Sequence, residues 1–471
     1  MNVEPLPESM VPNAPRVGIF RGPADYSRAE AAIRQALKFA GYTGSNPLGD
    51  VIQPGDSVVL KPNLIRESHL ERTDEWQQVI THGAVIRAVA ELAADALQGS
   101  GRIVIADGPQ TDSDYDLISA RLGLQTIVED LRRGGITVEA YDLRRDRWFQ
   151  KGDVIYKRVR LPGDPEGYTT VELGAASEFA GSPLSGRFYG ADYDSGETAT
   201  FHNHRRHAYV LCRTVMEADV VINLPKLKTH KKTGVTLSLK NMVGINGYRN
   251  CLPHFTVGTP DNGGDEFPSG GARAQVETQA ISAFKKTVSF VGGSGGAWAR
   301  VVKRAGKTIF GDSAKVVRSG NWFGNDTTWR MAVDLNKALF YFNSKGLPRR
   351  KALRYLTIVD GIIAGEGDGP MSPDARPAGL IVAGGNPLAV DTVCTLLMGF
   401  DYHKINIVSE PWKIEQYPLA PFCPDSVRCF SNVPEWTGSL HQISEAPHLT
   451  FRPHFGWAGH VERMAVVGAV G

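Results

Sequence analysis

Short apolar runs alternate with amphipathic stretches along most of this chain. The apolar runs predict strands at 16–20, 57–61, 102–106, 137–141, 219–223, 355–359 and 379–383. Apolar residues at helical spacing predict helices at 27–39, from 81 or 82 onward, and at 125–133, 329–342 and 388–398. Ser27 and Glu30 have the spacing of a capping box at the start of the first helix. Strands that alternate with helices predict an α/β fold with a mostly parallel sheet covered by helices.

The pattern weakens in two places, which divides the chain into parts. We predict an N-terminal α/β lobe over 1–245, interrupted by a polar insertion at about 142–205. An irregular Gly- and Pro-rich insertion with one helix follows over 246–330, and 331–471 completes the α/β domain. A chain of this length usually exceeds one core, so we expect two lobes with a cleft at the C-terminal ends of the strands.

Composition limits the class of protein. Lys and Arg number 52 against 50 Asp and Glu, so no overall field attracts nucleic acid or an anionic membrane. No run of 18 apolar residues occurs and the N-terminus does not have the pattern of a signal peptide, so we predict a cytoplasmic protein. The five cysteines form no C-x-x-C pair, which argues against an iron–sulfur cluster and favours buried, reduced thiols. The oligomeric state is left open.

The segment 219–244 carries the strongest chemical signal. A buried strand ends there, and polar residues follow it: Asn223, Lys226, Lys228, His230, Lys240 and Asn241. Lysines, hydroxyl residues and a flexible backbone favour an anion site. Lys226 and Lys228 would lie on one side of an extended segment, whereas Lys231 and Lys232 are predicted to be solvated. Lys240 is a candidate base, covalent anchor or charge clamp, and His230 a candidate base, metal ligand or simple hydrogen-bond donor.

Other predicted strands also end in polar residues: Lys61, Asn63 and Arg66 after one, Asp107 after the next, and Asp360, Glu366 and Asp368 after a third. In open α/β sheets, ligands bind at this edge, so we predict one composite substrate site. The alternative is that strand ends are polar in any protein because solvent reaches them. Asp391 would either support the acidic segment or merely cap a neighbouring turn. The histidines between 202 and 207 are predicted to lie in a solvated loop.

Several of these segments resemble the family known as domain of unknown function 362. The matching pieces are 60–64, 219–244 with its Pro-Lys-Leu-Lys-Thr-His core, 359–361, 367–370 and 385–391. Many relatives carry a ferredoxin-like tail with clustered cysteines, which this chain lacks. The electron-transfer role that the tail implies is therefore not expected here.

A weaker resemblance concerns the nickel-pincer lactate racemase family. That family is similar in placing a histidine ten positions before a lysine, as His230 and Lys240 are here. The resemblance implies a related architecture, a lysine that tethers the cofactor, and a downstream histidine that binds nickel, for which His254 is the match. The family's catalytic histidine after the third strand is absent, because Asp107 stands in that region.

Two functions from different classes remain open. The first is an enzyme of isomerase or oxidoreductase type that acts on a small anionic, hydroxylated metabolite, with a divalent metal or an unknown cofactor as an option. The second is a non-catalytic protein that binds or carries an anion, a metal or a cofactor. Nucleic-acid binding ranks last, because the net charge is only +2 and the chain has no basic stripe with aromatic residues.

Overall fold

A computed structural model describes residues 10–151, 154–182, 186–190, 195–269, 317 and 319–463. The strands in chain order are β1 (Arg16–Arg21), β2 (Ser57–Pro62), β3 (Arg102–Asp107), β4 (Thr137–Asp142), β5 (Asp146–Lys151), β6 (Val154–Arg160), β7 (Tyr168–Glu172), β8 (Phe188–Tyr189), β9 (His202–Asn203), β10 (Arg206–Cys212), β11 (Val220–Leu224), β12 (Lys226–His230), β13 (Gly234–Thr236), β14 (Phe255–Thr256), β15 (Arg354–Asp368), β16 (Ser372–Gly384), β17 (Arg428–Ser431) and β18 (Gly438–Ser439).

The helices are α1 (Ala29–Ala40), α2 (Gly83–Leu97), α3 (Tyr115–Leu122), α4 (Leu124–Arg133), α5 (Ser195–Phe201), α6 (Arg213–Met216), α7 (Ser238–Asn241), α8 (Thr328–Tyr341), α9 (Pro387–Met398), α10 (Asn406–Ser409) and α11 (Leu440–Glu445). The one helix predicted within the 246–330 insertion, at about 272–284, lies outside the described residues.

One sheet organises the molecule. Its strand order is β18-β17-β1-β16-β15-β11-β2-β3-β4, with β12 and β13 attached beside β15. The neighbours β15, β11, β2, β3 and β4 all pair in parallel, whereas β16 runs antiparallel to both of its neighbours. The prediction of an α/β fold with a mainly parallel sheet is therefore confirmed.

Side-chain alternation along the strands builds an apolar layer on each face of this sheet. In β2, Val59 belongs to one buried cluster, while Val58 and Leu60 belong to the other. Helices α1, α2 and α4 contribute to the second cluster, and α8 and α9 to the first. Since both layers share one sheet, the predicted division into two lobes is not confirmed. Strands β5 to β9 lie in the region predicted as an insertion, and they pair outside the central sheet with one another, with β10 or with β14.

The strand that begins the basic segment is broken in the middle. β11 ends at Leu224, Pro225 interrupts the ladder because it has no N–H, and β12 resumes at Lys226. β15 is long enough to pair with both pieces, and the Asp360 N–H donates to the Pro225 carbonyl at 2.9 Å. The stretch 360–368, predicted as an acidic loop, is thus the second half of a strand.

Two local predictions are wrong. Asp25, not Ser27, caps the first helical turn: the Asp25 carboxylate accepts from the Ser27 N–H and hydroxyl, so no capping box forms at Ser27. The histidines at 202 and 207 are buried in the β9–β10 hairpin rather than solvated. Burial lowers the pKa of His202 to about 3 and that of His207 to about 4, so both rings are neutral.

Candidate functional site

A small cavity opens at the C-terminal ends of β2 and β3. Its volume is about 50 Å³, enough for a few waters or one small oxyanion group. Its lining includes eight polar side chains, those of Asn63, Asp107, Lys228, His230, Thr236, Lys240, Asn241 and Arg249. Parallel strands end at this edge, and the β12–β13 hairpin and α7 lie against it, so distant parts of the chain meet here.

Lys61 and Asp107 form a buried ion pair beside the cavity. The Lys61 Nζ lies 2.7 Å from Asp107 Oδ1, and Asp107 Oδ2 accepts from the Leu64 N–H at 2.7 Å. Burial lowers the pKa of Lys61, an effect that the carboxylate opposes. A Cβ on Gly244 would meet Asp107 Oδ1 at 1.8 Å, so only glycine fits against the pair. Both oxygens of Asp107 are occupied, and its carboxylate neutralises Lys61.

Three asparagines tie α7 to the sheet. Asn241 Nδ2 donates to the Lys61 carbonyl at 3.1 Å and to Asn223 Oδ1 at 2.7 Å. Asn241 Oδ1 accepts from Asn63 Nδ2 at 2.9 Å. Asn223 Nδ2 in turn donates to the Ser238 carbonyl at 3.0 Å. These amides hold one another and the backbone, so Asn223 and Asn241 position the site rather than offer free donors to a ligand.

Asp391 supports the same short helix from behind. It lies on α9, and its two oxygens accept from the N–H groups of Ser238 and Leu239 at 2.8 and 2.9 Å. Burial raises its pKa to about 7, against the effect of these hydrogen bonds. Asp391 therefore caps α7, the alternative left open for it, and its side chain does not face a ligand.

Lys240 and Arg249 supply positive charge at the cavity wall. Burial, then Arg249 and Lys61, lowers the pKa of Lys240 to about 7. Among the described residues, the Lys240 ammonium has no hydrogen-bond or ion-pair partner. Arg249 donates to the carbonyls of Gly108 and of Pro109, the latter at 2.7 Å. Arg249 escaped the sequence reasoning because it follows no strand end and no recognisable motif.

Lys228 is held without a carboxylate. Its Nζ donates to the Val79 carbonyl at 2.5 Å and to the Pro370 carbonyl at 3.1 Å. Burial, then the charges of Lys226 and Lys240, places the pKa of Lys228 well below its usual value. The backbone oxygens orient this amine but provide no compensating charge.

His230 is fixed as a neutral ring. Its Nδ1 accepts from the N–H groups of Lys232 and Thr233 at 3.1 and 3.3 Å, so the hydrogen bonds assign the proton to Nε2. Burial and the lysines around it hold its pKa well below the ordinary range. A ring with Nδ1 occupied and Nε2 protonated donates a hydrogen bond; it is poorly suited to act as a base or to ligate a metal.

Lys226 and Asp360 form a second buried pair away from the cavity lining. The Nζ to Oδ2 distance is 2.9 Å, and both side chains are 0% exposed. The Tyr26 hydroxyl accepts from Lys226 at 2.8 Å and donates to Asp360 at 3.1 Å, and the His82 N–H donates to Asp360 at 2.9 Å. The pair is saturated by its own neighbours. Tyr26 and His82 were missed because they lie far away in sequence.

The predicted acidic wall opposite the lysines is not assembled. Glu366 accepts from the Arg452 N–H at 3.1 Å, and Asp368 is exposed at the end of β15. Arg66 lies 3.4 Å from Glu67 and 3.7 Å from Asp112. Since 360–368 is a strand with a register shift rather than a loop, its carboxylates diverge.

The surroundings of His254 and of the adjacent lysines Lys231 and Lys232 also differ from those predicted. His254 Nδ1 lies 2.8 Å from the Leu252 carbonyl, and burial lowers its pKa to about 3. Within the described ranges, no group of three or more His, Cys, Asp or Glu residues is arranged to hold a metal ion. Lys232 is not solvated: its Nζ donates to the Ser319 carbonyl, and burial lowers its pKa to about 7. Lys231 is half-buried as well, and burial lowers its pKa.

None of the helices in the described part of the chain is both long and apolar enough to span a bilayer. Four of the five cysteines, Cys212, Cys251, Cys394 and Cys429, are buried free thiols, while Cys423 is exposed.

Comparison with known proteins places the chain in a family. The family described as Domain of unknown function (DUF362) matches residues 58–171 and 164–396. A curated relative, the Thylakoid-associated protein sll1697 of Synechocystis sp., is 25% identical over 373 residues, which cover 79% of this chain and 72% of that protein.

A crystal structure of a Thermotoga maritima protein is 13% identical, with a TM-score of 0.34. The match covers 80% of this chain and 60% of that one, so this chain spans about 60% of the length of the solved structure. Because the family match extends over well more than half of the sequence, including both strand ends that form the cavity and the whole basic segment, the chain belongs to the DUF362 family.

Proposed function

We propose that the cavity binds the carboxylate or phosphate of a small metabolite and that Lys240 transfers a proton to or from it. The single observation that carries this proposal is a charge imbalance. Three basic side chains, those of Lys228, Lys240 and Arg249, line the cavity, while Asp107, the one carboxylate in its described lining, is already paired with Lys61 beside it. An anion is the ligand that restores the balance.

Each basic group has a distinct part in this proposal. Lys228 and Arg249 are oriented by backbone carbonyls, so they form a preorganised anion clamp. Charge-assisted hydrogen bonds of this kind contribute about 1.5–3 kcal/mol each. Lys240 has no partner among the described residues and a pKa of about 7, so it can take or release a proton near neutral pH. His230 donates a hydrogen bond to the bound anion through Nε2.

The proposed reaction class is isomerisation or redox chemistry on an anionic metabolite, in a cytoplasmic enzyme. The expectation that the metabolite also carries hydroxyl groups rested on Asp360, Glu366 and Asp368, whose contacts lie elsewhere, so the anionic group alone is retained. The likeness to the nickel-pincer racemases stays a prediction. Its proposed ligands, His230 and His254, do not suit a metal in their present hydrogen bonds, and no step is assigned to such a cofactor.

A carrier protein is the second candidate. It would need the anion clamp but would have no use for an unpaired Lys240 with a pKa near neutrality. Substitution of Lys240 therefore separates the two: an enzyme loses turnover, whereas a carrier keeps its ligand with little change.

Anion-dependent thermal unfolding tests the proposal. The native chain is titrated with phosphate, acetate and chloride at constant ionic strength, alongside Arg249→Met and Lys228→Met variants. We expect the melting temperature of the native chain to rise with phosphate or acetate but not with chloride. At about 100 times Kd the ligand adds about 2.7 kcal/mol to the free energy of unfolding.

Lys345→Met is the matched control, because Lys345 is exposed in the loop before β15. This variant should respond to anions like the native chain, and the two cavity variants should respond much less. An equal response in all four proteins would place anion binding elsewhere and end the proposal.

A further inference from the structure

The half-buried Lys240 differs from the buried lysines near it in what its amine contacts. Lys61 and Lys226 are each paired with a carboxylate, and Lys228 donates to two carbonyl oxygens. Lys240 lines the cavity, and among the described residues it has no hydrogen-bond or ion-pair partner. Its amine therefore faces the cavity without a competing contact.

The surroundings of Lys240 favour the neutral amine. Arg249 and Lys61 act on it directly, and it lies close enough to Lys228 and His230 to depress their pKa values in turn. Burial first, and then the neighbouring positive charges, lowers the pKa of Lys240 to about 7. A neutral lysine amine keeps its lone pair and is a nucleophile toward carbonyl carbon.

The same cavity also holds the groups that attract an oxyanion. Arg249 and Lys228 lie in the lining with Lys240, and the volume of about 50 Å³ keeps any group bound there close to all three. A carboxylate held by these cations would leave the neighbouring carbon of a short ligand near the Lys240 amine. A ligand with a carbonyl next to its carboxylate satisfies both features.

We propose that Lys240 forms an imine with the carbonyl carbon of a small 2-oxo acid. The inference rests on the proposed function, because the anion clamp must hold the carboxylate. The amine lone pair forms the C–N bond as the C=O π bond breaks, and one proton passes from nitrogen to oxygen to give a carbinolamine. Loss of water then forms C=N, so the amine and the oxo acid become imine and water, with no oxidant or reductant.

His230 has a defined supporting part in this step. Its Nε2–H can donate to the oxygen that leaves as water, since its Nδ1 is held by two backbone N–H groups. His230 is a positioning donor here and not the base. The proton that the oxygen needs comes from the amine itself.

Reductive trapping tests the imine. The native chain is incubated with pyruvate as the probe, reduced with borohydride, and examined by intact mass and by peptide mapping. We expect one adduct per chain, located at Lys240. Acetone, which lacks the carboxylate, should label Lys240 at least about tenfold less, because it gains nothing from the clamp.

Two variants and a competitor complete the design. Lys240→Arg keeps the charge but cannot form an imine, so its adduct should vanish, whereas Lys345→Met should label like the native chain. Excess phosphate should suppress labelling of the native chain, a result that holds even if Lys240→Arg fails to fold. Labelling spread over surface lysines, or equal labelling by acetone, would overturn the imine.

The outcome also separates this inference from the proposed function. If phosphate and acetate stabilise the native chain but pyruvate leaves no adduct at Lys240, the imine is wrong and the anion site stands. If neither stabilisation nor trapping occurs, both proposals fail.

Discussion

Lys226 and Lys228 lie two residues apart in one strand, yet their side chains have different roles. Lys226 forms an ion pair with Asp360 and donates a hydrogen bond to Tyr26, which in turn donates to Asp360. Its side chain is fully buried. Lys228 meets two backbone carbonyls and no carboxylate, and it lines the cavity. Both are buried lysines in the same motif, and only one has a counter-ion.

The difference teaches how to separate structural from functional charge. A buried lysine with a matched acid is a neutral unit whose worth depends on keeping both partners. A buried lysine that lies beside other cations and contacts only backbone dipoles has no neutralising partner. Its positive charge destabilises the fold, and a bound anion would remove this effect. The Lys61–Asp107 pair belongs to the first kind, Lys228 belongs to the second, and the half-buried Lys240 resembles the second because it too lies beside other cations without a carboxylate partner among the described residues.

The largest effect on stability should come from breaking the buried ion pair between Lys226 and Asp360. Asp360→Asn leaves Lys226 buried without a counter-charge, so we expect the free energy of unfolding to fall by about 3–5 kcal/mol. Urea denaturation measures the change. Asp368→Asn, at the exposed end of the same strand, should stay within about 0.5 kcal/mol of the native chain.

Adding Lys226→Met to the Asp360→Asn variant sharpens this test. The double variant removes the orphaned charge and should recover part of the lost stability. If the free energy of unfolding of Asp360→Asn fell by less than about 1 kcal/mol, Lys226 would not need its counter-ion. Lys226 and Lys228 would then not differ in their dependence on a carboxylate.

A middle-sized, pH-dependent effect should follow from Lys240→Met. The charged or titratable groups around Lys240 are Lys61, Asp107, Lys228, His230, Lys232, Arg249 and His254. The folded pKa of Lys240, about 7, is below its unfolded value, so native stability rises with pH between about 7 and about 10.5. Below about pH 7 the penalty is fully present, and removing the amine should stabilise the fold by about 1–2 kcal/mol there.

Parallel urea titrations near pH 6, pH 8 and pH 10 check the sign, in a buffer without oxyanions. The advantage of Lys240→Met should shrink toward zero as the pH approaches about 10. Lys345→Met should show no such trend. A variant less stable than the native chain at every pH would mean that Lys240 is paired in the folded protein.

The smallest change in stability should come from Lys228→Met. The variant relieves an uncompensated buried charge but leaves the Val79 and Pro370 carbonyls without their donor, and these effects oppose each other. We expect the free energy of unfolding to change by no more than about 1 kcal/mol, and the Kd for the anion to rise about tenfold. A loss as large as that of Asp360→Asn would show that Lys228 is structural too.

Much of the fold could be predicted from local pattern. Strands β2, β3 and β11 occur close to their predicted places, because continuous apolar runs bounded by polar residues are typical of buried parallel strands. Helix α9 begins one residue before its predicted start, where Asn386 caps it. The glycine-rich half of β15 was missed because glycine has low strand propensity, and only its pairing with β12 and β16 makes it a strand.

The residues of the candidate site could likewise be predicted only in part. Asn63, Asp107, Lys228, His230, Lys240 and Asn241 were predicted as site residues from the strand ends and the basic segment, and they do line the cavity. Arg249 was missed, and Lys226 and Asp360 were assigned to a ligand that they do not face. A strand end shows that a side chain lies at the edge of the sheet, but not which neighbour compensates its charge.

By itself, the sequence determined a parallel α/β sheet and a concentration of basic residues at its C-terminal edge. Hydrophobic periodicity is local, and chain direction alone brings parallel strand ends together. Only the tertiary structure decided that Lys226 meets Asp360, 134 residues away in sequence, while Lys240 meets no acid among the described residues. Ion pairing depends on side chains within about 4 Å in space, and sequence pattern carries no information about that distance.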